Sequence, residues 1–210
     1  MIVTPRHATI YLPPPETPRS EGVHVSGIIR CIAKEQGILK RDLQEELSLV
    51  DVREITDPIA ILRMSIGLAW EQYYIPKILG PQGVVDHPGE IEVDGIYLTH
   101  DGESVSTITH ERVSAMRLLV HETKATYKSV KTVADLAPKD SNWMWIAQLK
   151  SYCKALETLY ARMHVLFLCG DYSYPITPQL LCWDVLFTQE EIDGNWQLMT
   201  DYRDYQMGLI

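Results

Sequence analysis

No stretch of this chain approaches the ~18 consecutive apolar residues that a membrane span requires, and the longest candidates are interrupted by charge or polarity. The N-terminus, MIVTPRHATIYLPPPETPRSEG, lacks an apolar signal core, and its three successive prolines exclude helix and favour polyproline geometry. Residues 1–23 are therefore expected to form a Pro-rich arm, and the expected compartment is the cytoplasm. Cysteine is scarce. Cys31, Cys153, Cys169 and Cys182 include no C-x-x-C pair, so the spacing supports neither a disulfide framework nor a zinc site. One early and three late cysteines give little support to an iron–sulfur cluster, since Cys153 falls in a helical pattern and Cys169 ends an apolar run; buried thiols are the expectation. Positive charge is also short, with 19 Lys and Arg against 28 Asp and Glu and a formal net charge of −9. That balance is wrong overall for a nucleic-acid binder, whose phosphate affinity comes from basic side chains. Repeats and a second domain are absent, which leaves residues 24–210 as one domain.

What the chain does have is locally patterned. Arg117, Lys124, Lys128, Lys131, Lys139, Lys150, Lys154 and Arg162 are opposed within their segment by Glu122, Asp135, Asp140 and Glu157, leaving a local charge of +4 that could steer DNA. Capping and periodicity predict a helix over 27–36, a short helix and connector over 41–54, and a helix over 58–75 with Pro58 in its first turn. Glu90 to His100 alternates as a strand, Asp101-Gly102 carries a hairpin signal, and 103–111 is expected to return as the partner strand. Strands are also expected over 117–124, 165–169 and 180–187. An amphipathic helix is expected from Trp143 to Met163, with Trp145, Leu149, Tyr152, Leu156, Leu159 and Met163 on one face, and a final helix from Glu190. Helices and strands mixed in this order predict an α/β (mixed α+β) domain, a central mixed sheet flanked by helices.

Four polar features fall on these elements in order. Gly67 and Glu71 are four apart on one helix, where the glycine is expected to permit close approach to the sheet. Asp94-Gly95 interrupts an apolar strand. Glu122 and Lys124, two apart in LVHETK, share one strand face. Gln148 and Tyr152 lie on adjacent turns of the long helix. Each alone has an ordinary explanation: a solvated helix face, a turn, chance, a core tyrosine. Together they suit phosphodiester cleavage, in which carboxylates gather hard divalent cations and a lysine orients or deprotonates water. Burial and metal charge are expected to lower the Lys124 pKa. Tyr127, Trp143 and Trp145 could stack on unpaired bases.

This set resembles the RecB-type, lambda-exonuclease-like branch of the PD-(D/E)XK nucleases, over about residues 24–187. The resemblance implies a restriction-endonuclease-like core and a deoxyribonuclease using one or two Mg²⁺ or Mn²⁺ ions. It implies an exonuclease of DNA recombination, repair or replication, of phage origin and acting in the host cytoplasm. Position by position, Glu71, Asp94, Glu122 and the backbone carbonyl of Thr123 resemble the metal ligands, and Lys124 the catalytic lysine. Gln148 and Tyr152 resemble the pair that positions the DNA backbone, with Lys128 and Lys131 as further DNA contacts. The stretch from His24 to Cys31 resembles the family's Ser-containing first helix. Relatives carry a metal-binding His ahead of the helical Glu; here Trp70 precedes Glu71. His87 and His121 are candidates to compensate, although alternation turns His121 to the strand face opposite Glu122. DNA is the implied partner, and a homo-oligomer or a recombination partner protein is compatible. A structure-specific endonuclease, a non-catalytic DNA-binding or protein-interaction module on the same fold, and an unrelated α/β protein stay open.

Overall fold

The computed structural model describes residues 20–38, 58–110, 113–133 and 142–209. Most of the Pro-rich arm, the segment expected as a short helix over 41–54, and Lys139 lie outside the described residues. Among these residues eight strands and five α-helices follow in the order β1 (Val23–His24), α1 (Val25–Glu35), α2 (Pro58–Tyr74), β2 (Val85–Asp86), β3 (Glu90–Val93), β4 (Ile96–Thr99), β5 (Gly102–His110), β6 (Val113–Thr126), α3 (Val130–Val133), α4 (Trp143–Ala155), β7 (Tyr160–Phe167), β8 (Gln179–Leu186) and α5 (Gln189–Gln206). A π-helical turn, Ile75–Leu79, prolongs α2 past Pro76.

The five-stranded sheet has the order β2-β5-β6-β7-β8, and a smaller sheet has the order β1-β4-β3. In the large sheet only β6 and β7 run parallel. A parallel pair needs a crossover, and α3 and α4 supply it. The central strands are apolar where they face the helices: Val120, Ala161, Met163, Val165 and Phe167 are fully buried, together with Ile28 of α1, Leu149 of α4 and Met199 of α5. The edge strand β8 is nowhere fully buried, as an edge that meets neighbours on one side is expected to be. Helix α5 begins on a reciprocal cap in which Thr188 accepts from the Glu191 amide and Glu191 accepts from the Thr188 amide.

Three expectations are corrected. The hairpin lies at Asp94-Gly95, where both residues have positive φ (50° and 75°) between the paired Val93 and Ile96. This is a two-residue loop that twists with its strands, so residues 90–100 form two strands. Asp101-Gly102 is instead where the chain passes into β5, which pairs with β2 and β6 and not with β4. The helix expected over 143–163 stops at Ala155, and Leu159 and Met163 are apolar because the core covers β7 and its approach. An apolar strand following a helix extends the helical pattern by coincidence of spacing. Finally, a Cβ placed on Gly67 would meet nothing within 4 Å, so that glycine serves no close approach.

Candidate active site

A cleft of 230 Å³ opens between α2, α4 and the start of β5, lined among others by Ser26, Glu71, His87, Asp101, Lys124, Gln148 and Tyr152. Strand β6 supplies its floor. Alternation turns Glu122 and Lys124 to one side, as expected, and His121 to the other. Glu122 is fully buried, and Lys124 Nζ donates to its Oε1. Its second oxygen, Oε2, is buried with no partner. Leaving a buried carboxylate oxygen unpaired is costly, and such an orphan marks where a cation would fit.

Asp101 enters beside it through the backbone. The Thr123 amide and hydroxyl both donate to Asp101 Oδ2, at 2.7 and 2.9 Å, and the His87 amide donates to the Asp101 carbonyl at 3.0 Å. Gly102 makes this possible: a Cβ there would lie 2.9 Å from Val84 Cγ1 and 3.1 Å from the Val85 carbonyl. Opposite, Glu71 Oε1 is 2.6 Å from His87 Nε2, while His87 Nδ1 is 2.5 Å from Asp86 Oδ1. With a carboxylate oxygen on each ring nitrogen, His87 is an imidazolium. It holds this position with a left-handed φ of 41°, a conformation that His tolerates better than most residues.

The carboxylates of Glu71, Asp86, Asp101 and Glu122 outnumber the basic groups Lys124 and His87 set among them, and the titration follows that imbalance. Burial, then Asp101, pushes Glu122 up to about 8 against the pull of Lys124. Burial and then Glu71 push Asp101 up to about 6. The hydrogen bond to Glu71 leads in raising His87 to about 9. At Lys124 burial lowers the pKa, as expected, but the neighbouring carboxylates outweigh it. Glu122, Asp101 and Glu71 together hold it above the ordinary lysine value, so it is an ammonium in the metal-free chain.

The structure brings Glu71, Glu122, Lys124, Gln148 and Tyr152 together. Gln148 Nε2 donates to the Tyr152 hydroxyl at 2.5 Å. It does not bring Asp94: that carboxylate accepts the Trp196 indole N–H at 2.8 Å, and the Asp94 carbonyl accepts from Arg203, so Asp94 fastens the β3–β4 hairpin to α5. Asp101, passed over in the sequence as a turn residue, occupies the place expected of it. The usable signal was symmetry. Four strand-like residues flank Asp94-Gly95 on each side, whereas Asp101 directly precedes the strand that pairs with the strand of Glu122.

The expected basic face also changes. Lys131, Lys150, Lys154 and Arg162 are paired with Asp171, Glu191, Asp193 and Asp184, and alternation sends Arg117 and Arg162 to the sheet face away from Lys124. Lys128 Nζ sits 4.5 Å over the Trp145 ring, Arg63 lies 5.5 Å over that of Tyr127, and Trp143 and Trp145 pack partly against the core.

Among the described residues no three His, Cys, Asp or Glu side chains are drawn together at ligand spacing; His87 holds Glu71 and Lys124 holds Glu122. The donor set is nevertheless the all-oxygen kind that suits a hard divalent cation, and the orphaned Glu122 oxygen is its natural first ligand.

Mixed sheet, flanking helices and acidic cleft together define a restriction-endonuclease-like α/β fold. No family profile matches the sequence, and no curated protein matches it. The structure is similar to that of an alkaline exonuclease (LHK-Exo) from Laribacter hongkongensis, with a TM-score of 0.53 at 14% identity over 89% of this chain and 88% of that one. The same values hold for LHK-Exo in complex with dAMP. A phage related exonuclease from Haemophilus somnus 129PT is similar with a TM-score of 0.48 at 11% identity, over 87% and 82% of the two chains. At such identities the shared property is the fold. No described helix is long and apolar enough to cross a membrane.

Proposed function

We propose that this protein is a Mg²⁺- or Mn²⁺-dependent deoxyribonuclease, an exonuclease acting at DNA ends in recombination, repair or replication. The observation that carries the reading is Glu122: a fully buried carboxylate with one oxygen unpartnered, between Lys124 and the carboxylate of Asp101, beside an open cleft. Glu71, Asp101, Glu122 and the Thr123 backbone carbonyl would hold the cation, which when bound would neutralise phosphoryl charge and supply an activated water.

The chain's own residues account for the rest. Lys124, kept protonated by the surrounding carboxylates, offers positive charge to the non-bridging oxygens of a phosphodiester in the cleft. The Gln148 amide and the Tyr152 hydroxyl, ordered by their mutual hydrogen bond, present a fixed polar edge to the backbone flanking the scissile bond. His87 donates to Glu71 and balances its charge, a role that a cation held by Glu71 would take over. The resemblance to LHK-Exo in complex with dAMP supports a nucleotide-bearing substrate, and the likeness to exonucleases supports action at ends.

The purified full chain should degrade linear double-stranded DNA with Mg²⁺ or Mn²⁺, and EDTA should stop it. Glu122→Gln and Lys124→Ala should each lower the rate on the order of 10²–10⁴-fold while circular dichroism stays native. Full activity in either variant would sink the assignment. Covalently closed circles should survive; if they are nicked as fast as linear DNA is shortened, the enzyme is an endonuclease on the same site.

A further inference from the structure

The opposite face of the five-stranded sheet carries a second group of polar side chains that the proposed nuclease chemistry does not use. His164 on β7 lies directly across from Cys182 on β8, and Tyr74, from the last turn of α2, reaches over both. His164 Nδ1 is 3.1 Å from Cys182 Sγ and 3.1 Å from the Tyr74 hydroxyl, which is 4.0 Å from the same sulfur. Behind this triangle the contacts continue inward: His164 Nε2 to His121 Nδ1 at 3.0 Å, and His121 Nε2 to Ser104 Oγ at 2.8 Å. These residues line a cleft of 310 Å³, and Cys182 is exposed at its rim.

We propose that His164 Nδ1, Cys182 Sγ and the Tyr74 oxygen form a binding site for a borderline divalent cation of the zinc class, separate from the acidic cleft. The triangle has the right size. Donors bound to one tetrahedral zinc, with Zn–S about 2.3 Å and Zn–N about 2.0–2.1 Å, stand about 3.3–3.6 Å from one another, so sub-ångström adjustments close this one. The ring behind it is prepared. A metal-binding imidazole commonly donates its other N–H to a fixed acceptor; the 3.0 and 2.8 Å contacts allow His164 Nε2–H to donate to His121 Nδ1 and His121 Nε2–H to Ser104 Oγ, the tautomer that metal binding at His164 Nδ1 selects. In that tautomer the lone pair of His164 Nδ1 faces the sulfur and the phenol. Burial holds His164 down to about 3, so the ring is neutral at ordinary pH.

Sulfur and imidazole favour zinc over magnesium, so the cation of the acidic cleft does not compete here. On binding, the Cys182 thiol gives up its proton to water. Asp184 is excluded as a ligand by its bidentate pair with Arg162, at 2.5 and 3.0 Å. Among the described residues no three His, Cys, Asp or Glu side chains make a metal cluster; the third donor here is a phenol, and water completes the sphere.

Cobalt serves as the probe, because a thiolate bound to Co²⁺ gives a near-ultraviolet charge-transfer band that oxygen ligands do not. Titrating the full chain with Co²⁺ should produce this band with one equivalent, and Zn²⁺ should displace it. Cys182→Ser, at an exposed position that leaves the fold intact, should abolish the band; Cys169→Ser should retain it. Ser104→Ala, which loosens the support of the two rings, should weaken affinity about 10-fold or more. Zn²⁺ should also protect Cys182 of the unmodified chain from alkylation. The proposal is overturned if no band forms, if the band persists in Cys182→Ser, or if Cys182 alkylates equally fast with and without Zn²⁺.

Discussion

Asp94 and Asp101 are each followed by glycine, and only their surroundings tell them apart. Asp94 is exposed to solvent and holds an indole N–H, whereas Asp101 is pinned by the Thr123 amide and hydroxyl next to Glu122. If the proposed function is right, Asp101→Asn should lower DNA cleavage by about 100-fold or more, as loss of a metal ligand does. Asp94→Asn should leave cleavage intact, and Asp94→Ala should cost about 1–3 kcal/mol of stability by stranding the Trp196 N–H. The two variants assayed side by side decide the matter; an inactive Asp94→Asn would reinstate the residue that the sequence pointed to.

The same cluster sets a pH dependence. Glu122 rises to about 8 from 4.5 and Asp101 to about 6 from 3.8, so both bind protons more tightly folded than unfolded. Stability therefore falls as pH climbs through those windows. His87, raised from 6.5 to about 9, contributes stability that is complete below 6.5 and lost as pH passes 9. All three act in the same direction. The buried His121 and His164, held down to about 4 and about 3, act oppositely below 6.5, so in EDTA the melting temperature should decline from about pH 6.5 to pH 9, and Glu122→Gln should flatten that decline up to about 8. A metal-free melting temperature that rises over this range would contradict the charge balance described.

At the scale of elements, β5 is the hinge of the site. Its first residue, Gly102, sits so close to β2 that an added Cβ would press on the Val84 side chain and the Val85 carbonyl. β2 ends in Asp86 and the loop leaving it carries His87, so the strain would be passed to the groups that orient Glu71. Gly102→Ala should cost about 1–3 kcal/mol and reduce cleavage with it, whereas Gly67→Ala, with open space around it, should be neutral or slightly stabilising in its helix. Thermal melts of the pair test this. A harmless Gly102→Ala would mean that β2 yields without moving His87.

For the whole molecule, the question is how a chain of net charge −9 would hold DNA. Among the described residues, most of the basic side chains around the crossover are bound to acids and divided between the sheet faces, so these do not form one continuous basic surface. Lys128, set against Trp145, is the contact to test. Lys128→Ala should weaken DNA binding evenly across sequences and reduce the salt slope of log K by about 1. An unchanged slope would remove Lys128 from the interface.

The sequence by itself determined the class of fold, the paired Glu122 and Lys124, and the Gln148–Tyr152 pair, because each depends on short-range periodicity: two residues to a strand face, four to a helix face. Those periods survive into the folded chain whatever else it does. Only the tertiary structure decided which aspartate joins Glu122, that α4 ends before Leu159, that three carboxylates outweigh burial at Lys124, and that His164, Cys182 and Tyr74 meet behind the sheet. These outcomes turn on strand order and on the field of groups distant in sequence. Strand pairing is set by the packing of whole elements and is invisible to any local pattern, and a pKa answers to whatever charges the fold brings near.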